Sequence, residues 1–257
     1  MPAYPAPRLG GGPQVWYLRR VTSKTPVKST RSRKTLNAAN LEALGPGRLA
    51  AILLQIAEDQ PVVKRRLRLD LAAQAGPADL LVELDKRMDA LREARGRVHW
   101  RKLKDLRRDL TVLRQMIAGP LAEGDPGAAL DALLRFLALE SPVVARLNDA
   151  KGEIGEVFAL ALDDLAAVAA AVGRGVAGLE ATVFAVLEDA RPGLMGPIVE
   201  AMLAALTPEG VAALRALIET ETSTHRRVNA GWRAALQPLL DAQGDAHAYA
   251  ATYTASE

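Results

Sequence analysis

The sequence predicts an all-α protein of antiparallel helix pairs, and three observations support this prediction. Ala and Leu, with 48 and 39 residues, make up about a third of the 257-residue chain, and both are strong helix formers. The β-branched and aromatic residues that strands favour are scarce beside them. Apolar residues recur at helical spacing in short segments that Gly and Pro separate. Because short connections make successive helices antiparallel neighbours, we expect a helical-repeat-like array, an alpha-alpha superhelix.

The first helices follow from their caps and breaks. Asn40 is expected to cap a short helical turn over residues 41–44, and Gly45-Pro46 to end that turn and begin the next helix. This next helix has one apolar face, because apolar residues follow each other at i, i+3, i+4 and i+7. These residues are Leu49, Ile52, Leu53 and Ile56.

The later helices are predicted from the same signals. Within residues 62–75, Leu67, Leu69 and Leu71 alternate with charged residues as in a strand. A helix is still expected there, because no partner strand is predicted and Lys, Arg and Leu favour helix. Thr207 and Pro208 form a cap and a proline start for another helix. Trp100 and Trp232 each lie in an apolar stripe and are expected in the core. The other predicted helices cover residues 79–95, 99–118, 128–140, 153–172, 179–190, 195–206, 208–221, 228–241 and 246–253.

The domain organisation follows from composition. Residues 36–257 are expected to form one helical domain, with a candidate sub-boundary in the Gly- and Pro-rich residues 119–127. Residues 1–35 are rich in Pro, Gly and basic residues and are expected to be a disordered tail. A start at Val21 is an alternative, in which residues 1–20 would be translated upstream sequence. Since no uncharged apolar stretch is long enough to span a membrane, we expect a cytoplasmic protein.

The net charge of +3 hides an uneven distribution along the chain. Residues 1–34 carry eight Lys or Arg and no acid, residues 35–115 carry 16 basic and 11 acidic residues, and residues 116–257 carry 9 basic and 19 acidic residues. Such asymmetry can mark an end that faces a nucleic acid or a membrane surface, but it also fits an ordinary solvated face. The basic half, residues 1–115, could equally dock on the acidic half, residues 116–257, of a second copy.

One group of cations is the candidate binding surface. On a helix, the spacing i, i+4, i+7 and i+11 would place four cations of residues 97–108 in a single stripe. A preceding helix adds three more. We define the basic surface by these seven residues: Arg97, Arg101, Lys104, Arg108, Lys64, Arg65 and Arg68. It would suit an acidic partner or phosphates; the alternative is a solvated face partly paired with acids, such as Asp105 with Arg101. Asp109 is expected only to repel Asp105.

No motif predicts catalysis, a cofactor or a metal. The absence of Cys excludes disulfides and thiolate chemistry. His99, His225 and His247 are far apart, and no pair has metal-ligand spacing. Residues 173–178 match G-x-G-x-x-G, but a predicted helix precedes them, whereas the dinucleotide site requires a strand. We therefore expect a protein that is not an enzyme and that has no cofactor.

The helical part of the chain opens with the run TLNAANLEALG at residues 35–45, and further characteristic stretches lie at residues 64–69, 98–102 and 132–137. These stretches resemble an uncharacterised bacterial family of helical proteins, a domain of unknown function, and the opening run is the most specific of them. The resemblance covers about residues 35–250. It implies that longer members continue into tetratricopeptide-like hairpins, so this chain resembles a short or truncated member. It implies no activity, substrate or site residue.

The sequence favours a binding protein over an enzyme. A helical array exposes long surfaces to partners, and this step from fold to function is an analogy. We expect a non-catalytic scaffold for a protein partner. The alternatives are a nucleic-acid-associated protein that uses the basic surface, and an enzyme of unrecognised class. A homo-oligomer is a further alternative.

Overall fold

The computed structural model describes residues 35–224 and 230–254, and every regular element in these ranges is a helix. The predicted all-α class is therefore confirmed. The elements are α1 Ala38–Glu42, α2 Pro46–Asp59, α3 Pro61–Ala75, α4 Pro77–Glu93, α5 Trp100–Met116, α6 Ala122–Gly124, α7 Pro126–Ala138, α8 Glu140–Val144, α9 Glu153–Val172, α10 Leu179–Asp189, α11 Pro192–Met202, α12 Pro208–Thr224, α13 Ala230–Ala242 and α14 Ala246–Thr254. A π-helical turn, Ile117–Leu121, follows α5. Residues 1–34 of the expected tail, and His225, lie outside the described residues.

Proline sets the start of many of these helices. Six of them begin with Pro: α2, α3, α4, α7, α11 and α12. Pro has no N–H to leave unpaired in the first turn, and its fixed φ already suits a helix. This explains why α11 begins at Pro192, three residues before the predicted start. It also explains the helix at α3, whose alternating sequence alone resembles a strand.

Two predictions about where helices begin and end are wrong. Asn37, and not Asn40, caps α1, because the Asn37 side chain accepts a hydrogen bond from the Asn40 N–H at 2.9 Å. Asn40 lies inside the helix. Gly119 and Pro120, which the Gly- and Pro-rich composition of residues 119–127 places between two predicted helices, belong to the π-helical turn, whose end residues Ile117 and Leu121 are fully buried. Burial of those two apolar side chains thus keeps the chain helical through a Gly-Pro pair.

The chain divides into two compact units inside α2, after Ile52. In the first unit, the described residues comprise α1 and the start of α2. The second unit, Leu53–Glu257, contains the apolar core, which extends from Leu69 to Leu239. The sub-boundary expected near residues 119–127 stays a prediction.

Within the second unit, helices contact both their neighbours and the next helix but one. Neighbours α3 and α4, and likewise α13 and α14, pack together. In addition, α7 packs on α9, α9 on α11 and α11 on α13, while α10 packs on α12. The rings of Phe136 on α7 and Phe158 on α9 lie 5.2 Å apart between their centroids. Such a series of helix contacts is the packing expected of a helical array.

The two tryptophans differ in position. Trp100 is 71% exposed, so its prediction as a core residue is wrong. It is the first residue of α5 and lies ahead of the buried residues of that helix, against the His99 ring and 5.2 Å from the Arg101 guanidinium. Trp232 is half-buried against the core, where it stacks on Phe184 at 5.6 Å.

An exposed segment joins α4 to α5. Its residues Arg95, Gly96 and Arg97 are exposed. Val98 then fixes its end, because its N–H donates to the carbonyl of Arg146 at 2.8 Å. The Arg146 guanidinium in turn donates to the Leu91 carbonyl near the end of α4, at 3.2 Å.

Among the described residues, none of the helices combines the length and the apolar character that a membrane span requires.

Candidate nucleic-acid or protein interface

A groove of about 870 Å³ lies between α3 and α5, and Leu53 and Asp59 of α2 also line it. We call it the α3–α5 groove. We call the aliphatic part of its lining the floor; it comes from all three helices and consists of Leu53, Val62, Val63, Leu67 and Val112. Leu53 is 41% exposed, so the floor is open to solvent. A groove of this size with an open aliphatic floor has the dimensions of a ligand or peptide site.

Four cations and two acids also line the groove, and we call this charged part of the lining the rim. The cations are Arg66, Lys104, Arg107 and Arg108, and the acids are Asp59 and Asp105. The rim therefore has an excess of positive charge, which favours an acidic ligand.

The rim cations differ in how strongly they are held. Arg66 pairs with Asp70 at 2.9 Å, and Arg107 reaches Glu153 on α9 at 3.4 Å. Arg108 approaches Asp105 only to 3.9 Å, with both side chains about 60% exposed. Lys104 has no ion pair or hydrogen bond within the described ranges. Lys104 and Arg108 are thus the rim cations with the most freedom to meet a ligand.

The structure brings only part of the basic surface to this groove. Lys104 and Arg108 line it, and Arg101 lies on α5 beside Trp100. Arg97 lies before α5 begins, so the prediction of four cations in one helical stripe is wrong. Three of them, Arg101, Lys104 and Arg108, lie on α5. The predicted Asp105–Arg101 pair is also absent from the described contacts, since Asp105 is nearest to Arg108.

The α3 members of the basic surface have two different roles. Lys64 and Arg68 are exposed and make no ion pair to any described residue. Arg65 is half-buried and its Nε donates to Asp109 Oδ1 at 3.0 Å. Arg65 is therefore a packing residue of the α3–α5 contact as well as a surface cation.

Sequence reasoning missed Asp109, which is 4% exposed. Its Oδ2 accepts from Nε of Arg87 on α4 at 2.7 Å and from Nη2 of the same side chain. Together with Arg65, these contacts join α3, α4 and α5 through one carboxylate. A signal was present in the sequence, because Asp109 falls on the buried stripe of α5, three residues after Leu106 and four before Leu113.

Glu140 is the second buried carboxylate that the sequence did not reveal. Its side chain is 8% exposed, and its Oε1 accepts from Nη1 of Arg191 at 2.7 Å. Burial raises the pKa of Glu140, and the Arg191 charge opposes that rise in part. Its Oε2 has no hydrogen-bond partner among the described residues.

The other sequence motifs do not assemble a site. Residues 173–178 form the connection between α9 and α10, where Gly173, Gly175 and Gly178 have positive φ. A helix precedes this connection, as predicted from the sequence. His99 caps α5 and His247 lies in α14. Among the described residues, His, Asp and Glu side chains form no group that could hold a metal ion.

The comparisons with known proteins give one match. A family model described as "Family of unknown function (DUF6880)" matches residues 31–231. Neither a curated protein nor a solved structure matches the chain.

Proposed function

We propose that this chain, which belongs to the DUF6880 family of unknown function, is a non-catalytic binding module for a protein partner. The α3–α5 groove is the binding site, and its occupant is an amphipathic helix with acidic residues along its polar edges. The observation that carries this proposal is the aliphatic floor between two helices under a rim with excess positive charge. We keep the cytoplasmic location expected from the sequence as part of the proposal.

The aliphatic floor supports a protein segment as the occupant. Helix-in-groove recognition uses apolar side chains at i, i+3, i+4 and i+7 that enter a hydrophobic groove. Val62, Val63 and Leu67 of α3 offer such a groove with Val112 of α5 on the opposite side. Further exposed apolar side chains lie close in sequence, with Leu54 at 66% and Leu71 at 67% exposure. Concentrated exposed apolar surface is typical of partner-binding sites.

The rim supports an acidic partner rather than a nucleic acid. Lys104 and Arg108 can steer and orient carboxylates at the groove edge. A single-stranded nucleic acid would require aromatic side chains on which bases stack, and the groove lining has none. Trp100, the exposed aromatic residue of α5, is not part of that lining.

The test is fluorescence anisotropy with two labelled helical peptides that carry Leu at i, i+3, i+4 and i+7. One has Glu at the other positions and its counterpart has Lys. We expect the Glu peptide to bind more tightly than the Lys peptide, and the difference to shrink as salt is added. Val63→Asp places a charge in the floor and should weaken binding by about tenfold or more.

Two lysines of α5 provide the matched control. Lys104→Glu, in the rim, should weaken binding of the Glu peptide, whereas Lys102→Glu, with the same charge change on the same helix but outside the groove, should not. Equal effects of the two variants would show that only net charge matters and would overturn the groove proposal. Tighter binding of a labelled DNA or RNA at the same salt would replace it with the nucleic-acid alternative.

A further inference from the structure

A second cavity, separate from the α3–α5 groove, lies around the buried Asp109. We call it the Asp109 pocket; its volume is about 190 Å³. Four cations and two acids line it, together with Leu69: Arg65, Arg68, Lys86, Arg87, Glu83 and Asp109. The α3 residues that line this pocket are different from those that line the groove.

Three hydrogen bonds to Asp109 hold the guanidinium groups of Arg65 and Arg87 in place. Arg65 uses only its Nε for Asp109, and Arg87 uses Nε and Nη2. Both Nη atoms of Arg65 and the Nη1 of Arg87 have no protein acceptor within the described part of the chain. An arginine that a carboxylate already holds loses little side-chain entropy when it binds a ligand. Asp109 therefore preorganises two sets of N–H donors.

The remaining cations are less engaged. Arg68 makes no ion pair or hydrogen bond to any described residue. Lys86 pairs with Glu83 at 2.6 Å, on the exposed surface of α4. With four positive and two negative side chains, the lining keeps an excess of two positive charges. This excess matches the charge of a phosphate dianion, and arginine donors match its oxygen geometry.

We infer that the Asp109 pocket binds a phosphoryl group, either as inorganic phosphate or as a small phosphate monoester. In this site, Arg65 and Arg87 donate from their free Nη atoms, Arg68 closes over the anion, and Asp109 positions the two arginines without contacting the ligand. The inference is independent of the proposed function, because the groove and the pocket can be tested with different ligands and variants.

The experiment is isothermal titration calorimetry of the full chain with inorganic phosphate, O-phosphoserine and, at matched ionic strength, sodium chloride. We expect saturable heat with phosphate and none with chloride. Binding of both phosphate and O-phosphoserine would assign a monoester site, whereas binding of phosphate alone would assign a site for the free ion. No saturable heat from either phosphate compound up to millimolar concentration would overturn the inference.

The matched variants are Arg68→Gln and Lys64→Gln. Both residues are exposed on α3 and lack ion pairs to the described residues, but only Arg68 lines the pocket. Neither supports the core, so both variants should fold as the wild type. Arg68→Gln should weaken phosphate binding by about tenfold, as loss of a charge-assisted contact does, and Lys64→Gln should leave it unchanged. Equal affinities in the two variants would overturn the inference.

Discussion

Asp109 shows how a single residue can decide the contact between three helices. Its carboxylate is buried, while the two arginines that hold it keep about a quarter to a third of their side-chain surface in water. A buried carboxylate without cations would be strongly unfavourable, and buried cations without the carboxylate would be too. The packing of α3, α4 and α5 therefore depends on Asp109, although its position on a basic helix alone would suggest an ordinary surface residue.

We predict that Asp109→Asn lowers the free energy of unfolding by about 2–3 kcal/mol, because two partly buried guanidinium groups lose their counter-charge. Asp105→Asn is the control on the same helix. Asp105 is 59% exposed and lies 3.9 Å from Arg108, so its loss should cost less than about 0.5 kcal/mol. Urea unfolding of the two variants measures both values, and equal costs would contradict the structural role of Asp109.

Glu140 gives a prediction about pH. Because burial raises its pKa, the folded state binds the Glu140 proton more tightly than the unfolded state does. The contribution of Glu140 to stability therefore falls as the pH rises from the unfolded value of 4.5 through the raised folded pKa. Glu140→Gln, which mimics the protonated form, should remove this dependence. We expect the wild type to gain stability relative to Glu140→Gln as the pH is lowered from about 7 towards 4.5.

Urea unfolding at several pH values measures the difference between wild type and Glu140→Gln. Arg191→Gln provides the comparison, since Arg191 opposes the rise in the pKa. Its loss should make the stability fall more steeply with rising pH. Parallel stability curves for wild type and Glu140→Gln would rule out a raised pKa at Glu140.

At the scale of the element, α11 and α13 approach each other at a glycine. A Cβ added to the buried Gly196 on α11 would lie 2.8 Å from the backbone carbonyl oxygen of Ala234 on α13. A backbone atom cannot move aside as a flexible side chain can, so this close approach requires the absence of a side chain.

We predict that Gly196→Ala destabilises the fold by about 1–3 kcal/mol, because α13 must shift away from α11. Gly193→Ala in the first turn of α11 is the control. A Cβ at Gly193 meets nothing within 4 Å, and its backbone φ is not positive, so this variant should be neutral or slightly stabilising. Thermal unfolding compares the two. A neutral Gly196→Ala would contradict the close packing of α11 and α13.

The elements themselves could be predicted well from the sequence, and their contacts could not. The bounds of α9 match the predicted helix over residues 153–172, and Thr207 caps α12 as expected, with its Oγ1 accepting from Gly210 N–H at 3.0 Å. Caps, prolines and apolar periodicity are local signals. The contact of Gly196 with Ala234 joins residues far apart in the chain, so no local pattern reveals it.

At the scale of the whole molecule, part of the excess positive charge of the basic half is neutralised by ion pairs to the acidic half. Three arginines of the basic half pair with acids of the acidic half: Arg92 with Asp189 at 3.4 Å, Arg107 with Glu153 at 3.4 Å and Arg114 with Asp164 at 2.6 Å. The first pair joins α4 to α10, and the other two join α5 to α9. The charges left over, such as Lys104, Arg68 and Lys64, are the ones available to a ligand.

The candidate site was only partly predictable, because contacts between residues far apart in the chain leave no local pattern in the sequence. The spacing of charged residues predicts that Lys104 and Arg108 belong to a basic surface, because exposed cations on a helix follow from composition and spacing. The predicted stripe of four cations requires a helix that includes Arg97, whereas α5 begins after that residue. The spacing does not reveal the aliphatic floor, because Leu53, Val62 and Val112 come from three different helices and meet only in the folded chain. The Asp109 pocket depends on the same kind of long-range contact.

In the exposed segment between α4 and α5, the fold does not depend on an unbroken backbone. Arg95 and Arg97 are accessible to a protease with basic specificity, whereas the residues on both sides are held in place. Leu84 and Leu110 are fully buried in the same core, and Asp109 binds Arg87 across the segment. Cleavage after Arg97 would therefore leave two polypeptides that stay associated, and the same segment is the natural position at which an inserted sequence would leave the α3–α5 groove and the Asp109 pocket assembled.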